Sequence, residues 1–298
     1  MTNNIAPANA RGIFHFDHPL ASYTSWRIGG VAQYFYQPAD LEDLGNFLQN
    51  WQGKLVTFLG AGSNVLILGG GIDGVVIHLR DRLNVLERVE ENALRVEAGV
   101  LLTKLVQKCA DLGMVNAMFL AGIPGTLGGA LAMNAGAYGD SIWEYVDAVE
   151  TIDKHGKIHI RKREEYKIGY RQVMGLKKNE WFVAGHLKFP LLDKNEAKEK
   201  MLTYLAKRRA NQPLDEPNCG SVFRNPKNDF AARLIEVSGL KGARIGDAEV
   251  SEKHANFIVN KGHAKAFEVE ALIDLIKERV FILQGVDLVP EVRILGKT

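Results

Sequence analysis

Clusters of glycine constrain the fold of this chain more than any other feature of its sequence. Glycine is favoured where a backbone turns sharply or approaches another group closely. A loop-rich protein of mixed helices and strands needs such glycines, and so does a protein that binds a large ligand through its backbone. The 30 glycines gather in "RIGG" (27–30), "GAGSN" (60–64), "GGGIDG" (69–74), "AGIPGTLGG" (121–129) and "NAGAYG" (134–139).

The composition narrows the class of protein. Of the 298 residues, 46% are hydrophobic and 24% are charged, which is typical of a globular protein in water. The formal net charge of +2 gives no general reason for nucleic-acid binding. The longest apolar runs are too short to span a bilayer, and the N-terminus lacks the charged-then-apolar order of a signal peptide. We therefore expect a cytoplasmic protein that does not insert into membranes.

Cysteine usage agrees with this location. Cys109 and Cys219 are the two cysteines, and no C-x-x-C spacing occurs. This argues against a disulfide framework or a metal site and fits a reducing compartment.

Helices and strands follow each other without regular alternation, which predicts an α+β fold and not a doubly wound sheet. The hydrophobic spacing predicts helices at 40–50, with Asp40 as N-cap, at 100–112, with Gly113 as its end, and at 268–284. Two further helices are predicted at 193–212 and 229–239. Strands are predicted at 33–37, 54–60, 74–79, 84–89, 93–99, 148–153, 157–162, 181–189, 256–260 and 291–295.

The segment "GGGIDG" satisfies G-x-G-x-x-G literally but is not a dinucleotide fingerprint. That fingerprint needs a helix after the glycines, because the helix N-terminus holds the pyrophosphate. Here "VVIHL" (75–79) follows, which is predicted to be a strand. No G-x-x-x-x-G-K-[ST] pattern for a phosphate-binding loop occurs either.

Two glycine segments are better candidates for ligand binding. In "LGAGSNVLI" (59–67), the glycines can aim consecutive N–H groups at a pyrophosphate, although a plain turn between strands fits this segment equally well. In "LAGIPGTLGGALAMNAGAYG" (120–139), the glycines are too dense for a helix interior, which predicts a backbone wrapped around a flat, partly apolar ring system. Tight packing of the chain on itself remains the alternative for the second segment.

Seven motifs together resemble the UDP-N-acetylenolpyruvoylglucosamine reductase (MurB) family, in the family's order and over nearly the whole chain. They are "YTSWRIGG" (23–30), "GAGSNVLI" (60–67), "AGIPGTLGGALAMNAGAYG" (121–139), "GYR" (169–171), "GSVFRNP" (220–226), "HANFIVN" (254–260) and "PEVR" (290–293). The short spacing between "GYR" and "GSVFRNP" is similar to the shorter, type II class, which lacks an inserted loop with a substrate-contacting tyrosine.

The resemblance implies an FAD-binding fold of the vanillyl-alcohol oxidase/p-cresol methylhydroxylase type, followed by a smaller α+β substrate domain. It places one FAD-binding subdomain at 1–82, to which the strand at 288–298 returns, and a second at 83–192. The substrate domain is then 193–287. The sequence does not reveal an oligomeric state, and we expect a monomer whose partners are small molecules.

The implied reaction has two halves in peptidoglycan precursor synthesis, and hence in cell-wall biogenesis, cell shape and division. NADPH reduces non-covalently bound FAD, which then passes hydride to the vinyl carbon of UDP-N-acetylglucosamine enolpyruvate. The resemblance assigns Ser221 as the acid that protonates the resulting enolate. It assigns Arg171 and Glu291 to stabilising that enolate, with Glu291 protonated or hydrogen-bonded. Preorganised donors aimed at developing charge are usually the largest catalytic contribution.

The FAD-binding and substrate-binding residues also follow from the resemblance. Val173 stands where the family usually has Ser or Thr, so a hydroxyl that could support Arg171 is missing. The substrate-binding residues are Asn225, Arg224, Arg209 and His254. The FAD-binding residues are Gly60, Ala61, Gly62, Ser63, Asn64, Gly122, Ile123, Pro124, Gly125, Thr126, Gly128, Gly129, Asn134 and Gly136.

Simpler interpretations stand beside these assignments. Ser221 alone would be a turn residue, and a nucleophilic role lacks a G-x-S-x-G elbow. Arg171 alone would be a hairpin charge, and Glu291 alone a surface ion pair. His254 precedes a strand and fits a structural role as well, while arginines 208, 209 and 224 fit either the substrate's diphosphate or a solvated surface.

Two other functions use the same glycine loops. One is a flavin oxidase of the same fold that reacts with oxygen instead of NADPH. The other is a non-catalytic protein that binds flavin or a nucleotide sugar, which would not need Ser221, Arg171 and Glu291 together.

Overall fold

The computed structural model describes residues 10–51 and 55–298. The N-terminal residues 1–9, on which the expectation about a signal peptide rests, and Lys54, at the start of a predicted strand, lie outside the described residues. Among the described residues, no helix is long and apolar enough to cross a membrane.

Strands and helices mix along the described chain, as predicted for an α+β protein. The helices are α1 (Leu41–Asn50), α2 (Leu102–Leu112), α3 (Leu127–Met133), α4 (Lys194–Asn211), α5 (Ala231–Val237) and α6 (Ala266–Gln284). The strands are β1 (Ile13–Pro19), β2 (Val31–Gln37), β3 (Val56–Leu59), β4 (Val65–Ile67), β5 (Ile72–His78), β6 (Leu86–Glu90), β7 (Ala93–Glu97), β8 (Gly136–Ala137), β9 (Asp140–Ser141), β10 (Val146–Asp153), β11 (Ile158–Lys162), β12 (Lys167–Gly169), β13 (Gln172–Met174), β14 (Glu180–Lys188), β15 (Arg244–Ile245), β16 (Ala248–Val250), β17 (Ile258–Asn260) and β18 (Arg293–Leu295).

Contacts within the chain divide it into two compact units. The first unit comprises the described residues up to Phe16, Tyr34–Ala61 and Gly74–Ala206. The second unit comprises Asp17–Gln33, Gly62–Asp73 and Lys207–Thr298. These boundaries follow compactness, whereas the predicted boundaries separate cofactor and substrate functions, and that functional division stays a prediction.

A four-stranded sheet in the order β1-β2-β5-β3 lies mainly in the first unit. Helix α1 begins as predicted, because the Asp40 carboxylate accepts a hydrogen bond from the Asp43 N–H at 2.8 Å. Leu44, Phe47 and Leu48 of this helix are buried and join the core beneath the sheet. The hydrophobic spacing therefore predicted this helix correctly.

A five-stranded antiparallel sheet in the order β11-β10-β14-β7-β6 forms the rest of the first unit's framework. The strands predicted at 84–89 and 93–99 pair as the hairpin β6–β7, and those predicted at 148–153 and 157–162 pair as the hairpin β10–β11. Helix α2 packs its buried residues into the adjoining core and ends at Gly113, whose left-handed φ of 79° favours glycine.

The prediction that residues 120–139 contain no helix is wrong, because α3 includes Gly128 and Gly129. A Cβ at Gly128 would lie 3.0 Å from the Cβ of Ala98, so a larger side chain would separate the helix from its neighbour. The helix then stops at Asn134, which adopts a left-handed φ of 43°. Glycine serves close packing at Gly128, and this outweighs its low helix propensity.

The second unit has its own core between α5, α6 and the sheet β15-β16-β17. Strand β18 pairs in parallel with β4, with Arg293 opposite Val65. Strand β5, and not a helix, begins at Ile72, directly after the first three glycines of "GGGIDG", which confirms that this segment is not a dinucleotide fingerprint.

Candidate active site

In the first unit, the glycine turn that follows β3 lies beside a buried hydroxyl. A Cβ at Gly60 would be only 2.4 Å from Thr126 Oγ1, so alanine does not fit without a shift. Thr126 is 1% exposed, and its Oγ1 has no hydrogen-bond partner among the described residues. A buried polar atom without a partner is costly, and a ligand that hydrogen-bonds to Thr126 would remove that cost.

The segment before α3 adopts backbone conformations that favour glycine. Gly122 has φ 75° and Gly125 has φ 146°, both in the region that residues with a Cβ rarely adopt. Ile123 packs against the first unit's core, while Pro124 and Gly129 are exposed. The segment thus combines a fixed, unusual backbone path with an exposed surface.

Arg171 is fixed by the loop that follows α3. Its Nη1 donates to the carbonyl oxygen of Asn134 at 3.2 Å, and its Nη2 donates to that of Gly136 at 2.6 Å. The Asn134 side chain returns a hydrogen bond from Nδ2 to the carbonyl of Gly169 at 3.0 Å. Residue 171 itself has a left-handed φ of 53°, which is uncommon for a residue with a side chain and marks a constrained turn.

Backbone carbonyl groups support the Arg171 guanidinium. Val173, which stands where a hydroxyl was expected, pairs with Ile168 between β12 and β13 and packs against the core. The carbonyl oxygens of residues 134 and 136 therefore orient the guanidinium, a contact that the sequence did not predict.

In the second unit, the turn at Gly62 is held closely by the segment before it. The Ser25 N–H donates to the Gly62 carbonyl at 3.0 Å, and a Cβ at Gly62 would lie 2.0 Å from the Tyr23 carbonyl oxygen. With φ 62°, this position accommodates only glycine without strain. Two residues later, Asn64 Nδ2 donates to the carbonyl of Glu291 at 3.2 Å.

Ser221 and Glu291 lie on neighbouring backbone segments of the second unit. The Glu291 N–H donates to the carbonyl of Val222 at 2.7 Å, and Val222 directly follows Ser221. The Asn256 side chain braces the same segment, because it accepts from the Phe223 N–H at 2.9 Å and donates to the Phe223 carbonyl at 2.8 Å. Ser221 is partly buried and follows Gly220, whose φ is 81°.

Cys219 lies in the same part of the second unit but is poorly suited to chemistry. Burial raises the pKa of the Cys219 thiol well above its usual value, and negative charge on the Glu291 carboxyl would act in the same direction. A thiol that stays protonated is a weak nucleophile. The electrostatic coupling nevertheless indicates that the Glu291 carboxyl lies near this segment.

The four residues expected to bind substrate have different surroundings in the second unit. Arg224 is partly buried, and its Nε has no hydrogen-bond partner among the described residues. Asn225 is exposed, and its Oδ1 already accepts from the Ala231 N–H at 3.0 Å, at the start of α5. Arg209 is exposed, whereas His254 is half-buried, stacks edge-on against Phe257 and has its pKa lowered by burial.

The predicted site residues are divided between the two units. The sequence did not predict that the Ser25 N–H would hold the Gly62 carbonyl, because a main-chain contact leaves no signal in side-chain identity. The first unit holds Gly60, Ala61, Gly122, Ile123, Pro124, Gly125, Thr126, Gly128, Gly129, Asn134, Gly136 and Arg171. The second unit holds Gly62, Ser63, Asn64, Arg209, Ser221, Arg224, Asn225, His254 and Glu291.

Two family descriptions match this chain. Residues 32–161 match the FAD binding domain family. Residues 212–295 match the family described as the C-terminal domain of UDP-N-acetylenolpyruvoylglucosamine reductase. The first match confirms that the α+β fold includes an FAD-binding domain.

Individual relatives match over almost their whole length. A UDP-N-acetylenolpyruvoylglucosamine reductase from Coxiella burnetii (strain RSA 331 / Henzerling II) is 49% identical, with 97% of each chain covered. The protein of that name from Methylococcus capsulatus is 50% identical, covering 97% of this chain and 95% of the relative. The crystal structure of the reductase (MurB) from Thermus caldophilus superposes with a TM-score of 0.82 at 32% identity, covering 96% of this chain and 99% of that chain.

Proposed function

Because the chain belongs to the UDP-N-acetylenolpyruvoylglucosamine reductase family, we propose that it reduces UDP-N-acetylglucosamine enolpyruvate to UDP-N-acetylmuramate with NADPH. The observation that carries this proposal is the likeness to reductases of that name along nearly the entire chain. This reaction belongs to peptidoglycan precursor synthesis, and through it to cell-wall biogenesis, cell shape and division.

The residues of the glycine segments fit FAD. Thr126 offers a buried hydroxyl without a protein partner among the described residues, and Gly60 leaves room beside it that a Cβ would fill. When bound, FAD would accept hydride from NADPH and pass it to the vinyl carbon of the enolpyruvyl group. Residues 60–64, 122–126, 128, 129, 134 and 136 would hold FAD without a covalent bond.

Ser221 is the residue proposed to protonate the substrate carbon. An enolate is a strong base, so a hydroxyl can donate a proton to it although the hydroxyl is a weak acid. The hydrogen bonds between Val222, Phe223 and Asn256 support this role, because they fix the main chain directly after Ser221. Cys219, the nearby thiol, is assigned no chemistry.

Glu291 is proposed to stabilise the negative charge that develops on the substrate's carboxylate. A protonated or hydrogen-bonded carboxyl can donate to that charge, whereas an ionised carboxylate would repel it. The backbone pairing between Glu291 and Val222 supports a shared role with Ser221.

Arg171 is proposed to stabilise the same developing charge. Its two hydrogen bonds to uncharged carbonyl oxygens use one Nη atom each and fix the guanidinium in place. A fixed cation costs little reorganisation when charge develops during the reaction.

The substrate's diphosphate requires cations, and arginine matches phosphate geometry. Arg224 and Arg209 are the proposed partners, and the buried Nε of Arg224 is a donor that an anionic ligand would satisfy. His254 and Asn225 are proposed neighbours of the substrate, and the side-chain Oδ1 of Asn225 also accepts a hydrogen bond from the Ala231 N–H at the start of α5.

The remaining assignments complete the proposal. Residues 1–82 and 83–192 would form the two FAD-binding subdomains, with 288–298 returning to the first, and 193–287 the substrate domain of a type II enzyme. The protein would act in the cytoplasm as a monomer.

The absorbance spectrum of the purified protein tests the proposal. We expect a yellow protein with flavin absorbance bands. After the protein is denatured and removed, the flavin absorbance should stay in solution, which would show non-covalent binding. Consumption of NADPH should require the enolpyruvyl substrate and should not be matched by consumption of oxygen. A protein that neither contains flavin nor takes up added FAD would contradict the proposed function.

A further inference from the structure

A buried histidine lies against the glycine turn of the first unit. His78 ends β5, is 5% exposed, and stacks on Phe35 with ring centroids 5.8 Å apart. Its Nδ1 lies 3.0 Å from Gln37 Nε2, and a second hydrogen bond joins the imidazole to the backbone of Gly60. Strand pairing explains the proximity, because Leu59, which precedes Gly60, lies opposite His78 between β3 and β5.

Arg82, Gln37 and His78 form a chain of hydrogen bonds in which each residue donates to the next. Arg82 Nη2 donates to Gln37 Oε1 at 3.4 Å, which leaves the Gln37 amide nitrogen to donate to His78 Nδ1. The remaining proton of a neutral imidazole is then on Nε2, so that nitrogen donates to the Gly60 carbonyl. Burial lowers the pKa of His78 to about 4, which keeps the imidazole neutral at neutral pH.

A hydrogen bond on the Gly60 carbonyl also fixes the next N–H. The carbonyl of Gly60 and the N–H of Ala61 belong to one trans peptide, so the two groups point in opposite directions. With the carbonyl turned toward His78, the Ala61 N–H is turned away from it. Without this hydrogen bond the peptide could rotate, and glycine at position 60 would allow more rotation than a residue with a side chain would.

We propose that His78 is a positioning residue that locks the Gly60–Ala61 peptide so that the Ala61 N–H is presented to a phosphate oxygen of FAD. This inference rests on the proposed function, because it presumes that FAD is the ligand of the turn. It assigns to Gln37 and Arg82 the supporting role of holding the imidazole. Backbone N–H groups aimed in advance at a phosphate bind it without paying for reorganisation.

The experiment compares FAD affinity among variants of the full-length chain after removal of bound flavin. His78→Leu removes both hydrogen bonds, and we expect the FAD dissociation constant to rise about tenfold or more. His78→Gln places an amide N–H near the position of Nε2, and it should recover most of the affinity. Titration of apoprotein with FAD, followed by flavin fluorescence, gives the dissociation constants.

A matched control separates positioning from general loss of stability. Thr151→Val removes a different buried hydrogen bond of the first unit, from Thr151 Oγ1 to Glu180 Oε2 at 2.9 Å. It should lower the Tm of the apoprotein without changing FAD affinity. Equal FAD affinities for His78→Leu and Thr151→Val would overturn the inference while leaving the proposed function intact.

Two further outcomes keep the test decisive. If His78→Leu does not fold, Gln37→Leu breaks the next hydrogen bond, and FAD affinity should fall several-fold; an unchanged affinity would again overturn the inference. A wild-type protein that does not bind FAD would instead contradict the proposed function itself.

Discussion

The backbone N–H of Glu291 donates to the carbonyl oxygen of Val222 at 2.7 Å, directly beyond Ser221. A second main-chain hydrogen bond joins the same two segments, from the Arg224 N–H to the Val289 carbonyl at 2.9 Å. The two proposed catalytic residues of the second unit are therefore held by main-chain hydrogen bonds. Substitution of either side chain should leave the other in place.

Ser221→Ala should leave FAD bound and reducible by NADPH. We expect the reaction with the enolpyruvyl substrate to slow by roughly a hundredfold or more, because a positioned acid typically contributes that much. The measurement is the single-turnover recovery of flavin absorbance after NADPH-treated enzyme is mixed with substrate. Recovery at the wild-type rate would show that Ser221 is a turn residue.

Two other variants are controls for Ser221→Ala. Ser221→Cys retains a proton donor and should recover part of the rate. Cys219→Ala should change the rate much less, because its thiol is buried and burial raises its pKa.

Glu291→Gln and Arg171→Ala should both damage the reaction with substrate more than flavin reduction by NADPH. The physical reason is that negative charge on the enolpyruvyl carboxylate develops only in the second half of the reaction. Arg171→Ala also removes the donors to the carbonyls of Asn134 and Gly136, so FAD content must be measured alongside. Equal slowing of both halves in stopped-flow experiments would indicate a defect in folding or FAD binding.

NADPH and substrate should react by turns at one site. The basis is a single set of motifs without a separate dinucleotide fingerprint, since β5 follows the glycines at 69–71. Steady-state kinetics should give parallel double-reciprocal lines, with competitive inhibition at high substrate concentration. Converging lines, which indicate that both ligands bind at once, would contradict this expectation.

Local signals predicted most of the framework. Asp40 and Gly113 marked helix ends because a side-chain cap and a left-handed backbone are properties of one or two residues. The error at α3 has a tertiary cause: Gly128 looks like a helix breaker until Ala98 is known to lie against it. Propensity is a weak guide where packing decides.

The contacts of the predicted site residues could not be predicted from the sequence. The motif around Arg171 did not indicate that backbone carbonyls of residues 134 and 136 would hold the guanidinium, because main-chain acceptors leave no trace in side-chain identity. His78 lies in an apolar strand and resembles an ordinary core position. Its partner Gln37 is 41 residues away in sequence, so no local pattern links the two.

The stability of the apoprotein should depend on pH through His78. Its pKa falls from 6.5 to about 4 because burial disfavours the charged imidazole and the Arg80 and Arg82 charges oppose it, while Asp81 and the Gly60 carbonyl favour it. Between these values the unfolded chain binds the proton and the folded chain does not, so stability increases with pH across this window. As pH falls from about 6.5 to about 4, His78 should lower the free energy of unfolding by up to about 3 kcal/mol, at 1.36 kcal/mol per pKa unit.

Denaturant unfolding of wild type and His78→Leu across that pH range isolates this contribution. The free energy of unfolding of wild type minus that of His78→Leu should decrease as pH falls. His155→Leu, which changes an exposed histidine, is the matched control and should track wild type. A difference independent of pH would contradict a neutral, buried His78.

Gly129→Ala should change the stability of the apoprotein and its affinity for FAD in opposite directions. Gly129 is an exposed helical residue, and a Cβ there would meet only Thr126 Oγ1, at 4.0 Å, which is an ordinary contact. Alanine in a helix interior is favoured over glycine by about 0.5–1 kcal/mol, so the apoprotein's Tm should rise by roughly 1–3 °C. If residues 128 and 129 lie against FAD, the added methyl group should at the same time weaken FAD binding. Gly122→Ala is the contrast, because its φ of 75° makes alanine destabilising with or without ligand. A Gly129→Ala protein that is more stable and binds FAD as well as wild type would remove this residue from the proposed FAD site.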